Sequence, residues 1–182
     1  MLRTLTLAAT AAALTTGAAM AANPTVGGAP MLVERNIVEN AVNSPIHTTL
    51  VAAVKQAGLV DTLASEGPFT VFAPTDAAFA MVKPESLNAL MQPGAKKQLT
   101  EILTCHVVGA KAMSNAIAGM IADDGGNHPV ETLGGCTLQA KMTGGKITLT
   151  DENGRTATVT VADVEQSNGV IHVIDRVLLP KQ

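Results

Sequence analysis

Four histidines (His47, His106, His128 and His172) and two cysteines (Cys105 and Cys136) are the side chains of this 182-residue chain best suited to metal ligation or nucleophilic chemistry. Their spacing assembles neither. There is no H-x-x-x-H pair, no G-x-S-x-G and no glycine-rich phosphate loop after a strand. Cys105 directly precedes His106, which is no geometry for a Cys–His dyad, and no C-x-x-C occurs. Asp123-Asp124 and Asp151-x-Asn153-Gly154 resemble fragments of calcium loops, but neither continues to the remaining ligands or to a bidentate Glu, so both read as turns. No serine has a recognisable catalytic partner. The reading is a chain that is not an enzyme and calls for no metal and no cofactor. His106 follows an apolar helical face and His172 lies in an apolar strand; both read as buried, neutral, hydrogen-bonded imidazoles, with metal ligation as the alternative.

The cysteines depend on the compartment, which the first residues address. Met1–Ala21 carries Arg3, an apolar run from Leu5 to Ala13 and a small-x-small site at Ala19-Met20-Ala21. This is the pattern of a secretory signal peptide. An N-terminal anchor is the alternative, but the run is too short and too rich in Thr and Ala to span ~30 Å of hydrocarbon. The expectation is a periplasmic or secreted protein with no transmembrane segment. In an oxidising compartment a lone pair of cysteines reads as one Cys105–Cys136 disulfide, stabilising by roughly 3–4 kcal/mol in the chain-entropy model. The alternative is a redox-active or nucleophilic Cys.

Composition narrows the partners. Apolar residues make up 47% of the chain and charged residues 15%, enough to build a core. The formal net charge of −3 argues against nucleic acid. With no Trp, no Tyr and three Phe, stacking platforms for bases and aromatic sugar grooves lack their usual parts.

The elements that would position these residues follow from periodicity. Residues 22–32, with Pro24, Gly27, Gly28 and Pro30, read as a flexible lead-in to a domain over 33–180. Ile37, Val38, Ala41 and Val42 predict a helix over Glu34–Asn43, stopped by Ser44-Pro45. Thr48 is placed to cap a second helix with the face Leu50, Val51, Val54 and Ala57, closed by Gly58. Phe69–Ala73 reads as a buried strand, after which Thr75 or Asp76 caps a helical turn. Further helices are expected around Leu87–Met91, Leu99–His106 and Ser114–Ile121. From Cys136 onward the pattern alternates: Leu138, Ala140 and Met142, then Ile147 and Leu149, then Ala157, Val159 and Val161, with turns at Gly144-Gly145 and Asn153-Gly154. Val170–Leu179 is apolar on both faces and predicts a central strand. Helices in front and hairpins behind make an α+β domain.

Two segments, FTVFAPTDAAF (Phe69–Phe79) and NGVIHVIDRVLLP (Asn168–Pro180), together with NIVENAV, TTLVAAV and LTCHVV, give the chain a resemblance to the fasciclin (FAS1) domain family. That resemblance implies a wedge-shaped β-sandwich of about seven strands with helices packed along one edge. It also implies an interaction module that binds proteins or polysaccharides at the cell surface or matrix. The alternative it leaves open is a carrier of an apolar molecule such as a carotenoid. It implies partner-binding roles for His106, where Cys105 stands in place of the family's frequent Tyr, and for the pair Asp163-Val164 before the Ser167-Asn168-Gly169 turn. Asp163 is expected to be dispensable for stability. The hallmark motifs have a plain structural reading beside the functional one: Thr75-Asp76 as a cap, Asn168-Gly169 as a turn and His172 as a core residue.

Overall fold

The front of the chain forms helices where the apolar spacing predicts them: α1 (Ile37–Asn43), α2 (Thr48–Ala57), α3 (Val60–Ala64), α4 (Asp76–Ala80), α5 (Pro84–Leu90), α6 (Lys96–Thr104) and α7 (Ser114–Asp123). The computed structural model describes residues 23–181; the expected signal peptide, Met1–Ala21, lies outside the described residues. Helix α1 starts at Ile37 rather than Glu34 because Asn36 and Glu39 form a capping box. The Asn36 side chain accepts the Glu39 N–H, and the Glu39 carboxylate accepts the Asn36 N–H. The expected face also shifts: Asn40 is fully buried while Val42 is 56% exposed. Gly58 ends α2 at φ 73°, the left-handed conformation of a helix terminus.

Among the described residues there are seven strands, the first two set between these helices: β1 (Phe69–Pro74), β2 (Val107–Val108), β3 (His128–Glu131), β4 (Thr137–Thr143), β5 (Lys146–Thr150), β6 (Thr156–Gln166) and β7 (Gly169–Ile174). They pair in the order β2-β1-β7-β6-β5-β4-β3. Only β1 and β7 run parallel; the other pairs are antiparallel. This is the α+β architecture expected, with the expected number of strands. Strand β3 carries no alternation that would announce it. Its Pro129 is tolerated because the strand lies at the edge of the sheet, paired only with β4.

The β1/β7 pair divides two apolar cores. Val71, Ala73, Ile171 and Val173 pack with α1–α6, whereas Phe72, Ile174 and Leu178 join β4, β5, β6 and α7 on the other side. A strand buried on both faces reads apolar throughout, and all six residues of β7 are buried. The strand expected to reach Leu179 stops at Ile174. Beyond it Val177, Leu178 and Leu179 remain buried, but side chains rather than a neighbouring strand take up the N–H groups of the last two. The Leu178 N–H donates to His106 Nε2 at 3.0 Å and the Leu179 N–H to Asp151 Oδ2 at 3.0 Å.

Two further expectations are settled by packing. The segment read as a flexible lead-in is docked: Val26 and Met31 are core residues, and the Asn23 amide both donates to the Glu165 carbonyl and accepts the Glu165 N–H. Apolar residues among its prolines and glycines gain more by burial than the short chain loses by ordering. Cys105 and Cys136 are joined as the predicted disulfide, buried, with Cα atoms 5.3 Å apart, tying the end of α6 to the start of β4.

Candidate functional site

The two hallmark segments meet as the parallel β1/β7 pair, in register from Phe69 against Gly169 to Pro74 against Ile174. The approach at its start is too close for a side chain. A Cβ on Gly169 would lie 2.1 Å from the Phe69 carbonyl oxygen, so glycine is required there by space. Asn168, 6% exposed, fastens the helices to this corner. Its Oδ1 accepts the Ile37 N–H at the start of α1 (3.0 Å), and its Nδ2 donates to the Leu63 and Ser65 carbonyls at the end of α3 (2.8 and 2.7 Å).

At the other end of β1, Thr75 and Asp76 divide the capping between two helices. Thr75 Oγ1 accepts the Ala78 N–H and caps α4. Asp76 reaches across to α2, where its carboxylate accepts the Thr49 N–H (2.7 Å), the Thr48 N–H (3.2 Å) and the Thr48 hydroxyl (2.8 Å). Thr48, expected to cap α2 itself, is instead the first capped residue. Partial burial alone pushes the Asp76 carboxyl up, but the hydrogen bonds from Thr49 and Thr48 together hold it below the usual carboxylate value. A negative charge at a helix N-terminus is also favoured by the aligned peptide dipoles.

Two of the three residues expected to meet a partner are buried. His106 is 2% exposed and Val164 fully buried. Asp163 is half-buried at a bulge in β6, with φ 57°, a conformation that Asp tolerates better than most residues. Its carboxylate caps α7, accepting the Ser114 N–H at 2.6 Å and the Ser114 hydroxyl. The expectation that Asp163 sits free beside an exposed turn is therefore corrected. Its backbone N–H donates to His172 Nδ1 at 3.2 Å, and His172 Nε2–H donates to the Ala112 carbonyl at 2.8 Å. That ring stacks on Phe72 with centroids 5.8 Å apart. His106 donates from Nδ1 to the Ile102 carbonyl (2.8 Å) and accepts at Nε2 from Leu178. Burial pushes both imidazoles down, His106 to about 4, against opposing pulls from those carbonyls and from Asp151 or Asp163. Both rings are neutral at pH 7 and both have their nitrogens engaged, which leaves no free lone pair for a metal.

Asp76→Ala and Asp163→Ala are each expected to cost about 0.5–2 kcal/mol through a lost cap. Asp163→Ala should fall at the upper end because alanine also resists the positive φ. Urea unfolding of the two variants beside the parent protein checks this; a midpoint unchanged in either would remove that carboxylate from the framework.

Beneath α1 and α2 lies an apolar cavity of about 50 Å³, lined among others by Val26, Met31, Leu50, Val71, His47 and Asn40. It has room for little more than a few atoms, far less than a carotenoid fills. His47 Nδ1 bonds the Ser44 hydroxyl at 2.7 Å, while its Nε2 is buried without a hydrogen bond. Burial pushes this imidazole below its ordinary value, opposed by the Ala73 carbonyl and the Asp76 charge. Sequence reasoning named His47 among the histidines and Ser44 as a helix stop without a role for either here, and passed over Asn40. The one available signal was a polar residue, Asn40, on the apolar side of α1; it exchanges hydrogen bonds with the Leu32 backbone. Among the described residues no three His, Cys, Asp or Glu side chains gather as metal ligands, and no helix is long and apolar enough to cross a membrane.

Comparison with known proteins gives one consistent result. Residues 45–180 match the family model described as the fasciclin domain. The chain is 44% identical over 144 residues to protein sll1483 of Synechocystis, covering 79% of this chain and 73% of that protein. It is 35% identical over 132 residues to rabbit transforming growth factor-beta-induced protein ig-h3, covering 72% of this chain and 17% of that one. Among solved structures, a FAS1 domain pair from the insect cell adhesion molecule fasciclin I superposes with a TM-score of 0.70 at 20% identity. That match covers 80% of this chain and 51% of the pair, about half of its length.

Proposed function

The chain belongs to the fasciclin domain family, and on that premise we propose that it is an exported, non-enzymatic interaction module that holds cells or matrix by binding protein or polysaccharide. The observation that carries this reading is the FAS1 fold it has in common with a cell adhesion molecule. The geometry constrains how such a module works. The hallmark residues Thr75, Asp76, Asn168, Gly169 and His172 are engaged in caps, clamps and packing, so they act on binding by holding the domain folded. Contact with a partner then falls to side chains on the outer faces. His106 and Val164 contribute from beneath, and Asp163 by fixing the start of α7.

The test is retention of host cells or matrix on beads coated with the purified protein. Native coating should hold them and coating denatured after reduction of the disulfide should not. Asp163→Ala should lose retention only in step with its melting curve. Equal retention on native and denatured coatings would overturn the reading, and loss of retention by Asp163→Ala without a change in melting would restore that carboxylate as a direct contact. Export is checked by intact mass: the secreted form should lack Met1–Ala21.

A further inference from the structure

A second concavity, separate from the cavity beneath α1 and α2 and lined in part by the hallmark segments through Ala78, Arg176, Val177 and Leu179, lies between α4–α5, α6 and the segment that follows β7. It is an open groove of about 560 Å³. That size is in the range that accepts a small organic ligand. Its floor is aliphatic, built from Val82, Leu90, Ile102 and Leu179, and its lining includes no aromatic ring. Around the floor stand three cations, Lys83, Arg155 and Arg176, and no carboxylate lines the groove. All three are exposed. Among the described residues the side-chain ion pairs engage Lys97, Lys111 and His128, and none of the groove cations. In a chain of net charge −3 this is a local reversal of sign.

We propose that this groove binds an aliphatic carboxylate of fatty-acid type, with the carboxylate on Arg155 and Arg176 and the hydrocarbon along the floor. Guanidinium groups pair with carboxylates through parallel N–H donors, and such charge-assisted bonds are about twice as strong as neutral ones. The absence of aromatic lining disfavours a sugar ring and suits a methylene chain, which needs only apolar area. The inference is independent of the adhesion reading: a domain could fail to retain cells and still bind such a ligand.

The test is calorimetric titration of the purified protein with laurate, kept below its micelle threshold, beside butyrate and dodecan-1-ol. Laurate should bind with a dissociation constant in the micromolar range, at least tenfold tighter than dodecan-1-ol and butyrate, and should weaken as salt rises. The Arg155→Gln/Arg176→Gln double variant should bind laurate at least tenfold more weakly with its melting unchanged, since both side chains are exposed. Ser86→Glu, which adds a carboxylate to the lining of the groove, should do the same by repulsion. Undiminished laurate binding in either variant overturns the site. Dodecan-1-ol binding as tightly as laurate overturns the charge assignment, butyrate binding as tightly overturns the aliphatic floor, and no laurate binding at millimolar concentration overturns the proposal altogether.

Discussion

Replacing Asn168 with alanine is expected to destabilise the domain by about 4 kcal/mol, an unusually large loss for a turn residue. The reason is the number of backbone groups that depend on one amide. Ile37 donates to it, and Leu63 and Ser65 accept from it, at 2.7 to 3.0 Å. A buried backbone group left without a partner costs about 1–3 kcal/mol, and truncation orphans two of them, the Ile37 N–H and the Leu63 carbonyl, beside the part-buried Ser65 carbonyl. The loss also unfastens α1 and α3 from the start of β7. Asn168→Asp separates this account from simple cavity formation. It keeps the acceptor for Ile37 but faces two carbonyls with a carboxylate that has nothing to donate, so it should be no more stable than the alanine variant despite its nearly identical shape. Urea unfolding with an unchanged slope measures both. A cost below about 1 kcal/mol for Asn168→Ala would sink the idea that this side chain joins helices to sheet.

Acidification is expected to remove roughly 3 kcal/mol of stability through His106 between pH 6.5 and pH 4. The folded imidazole is held near 4 by burial, against 6.5 for the free side chain. Above pH 6.5 both the folded and the unfolded states are neutral, and the residue contributes no pH dependence. As pH falls through 6.5 the unfolded chain takes up the proton first, so stability declines, and the decline levels off below pH 4 where both states are protonated. His47 and His172 are shifted in the same direction and add to the slope. Asp76, held low in the folded state, loses its share of stability as pH falls toward its own folded value. Unfolding free energy measured at intervals from pH 7.5 to 4, for the parent protein and His106→Gln, should give a less steep decline in the variant. Ring resonances that titrate near pH 6 for His106 in the folded protein would contradict the mechanism.

The burial of His106 and His172 was legible in the sequence because each interrupts an apolar run, and a polar residue in such a run must either open the core or be satisfied within it. The disulfide was legible as well, because two cysteines in a chain read as exported have a single intramolecular pairing. What Asp76 and Asp163 cap was not legible. Each lies far along the chain from the helix it serves: Thr48 and Thr49 precede Asp76 by 28 and 27 residues, with α3 and β1 between, and Ser114 meets Asp163, 49 residues on, where β6 bulges beside α7. Capping rules read neighbours in sequence, and these caps are neighbours only in space. The docking of residues 23–32 was missed for a related reason. Proline and glycine mark irregular backbone, but irregular backbone packs well when a groove is waiting for its apolar side chains, and that groove is made by α1, α2 and β6.

Periodicity and turn chemistry by themselves determined the helical front, the hairpin-rich rear and the central place of β7, because local backbone preference and the burial of one or two faces leave their period in the residues. The two hallmark segments determined the family. Tertiary structure alone decided that β1 and β7 run side by side in parallel, that Gly169 is required by a carbonyl from another strand, that Val164 is buried and that Asp163 caps α7. It also alone brought Lys83, Arg155 and Arg176 around one groove. These are contacts between residues distant in the chain, and their energies depend on distances that no local pattern encodes.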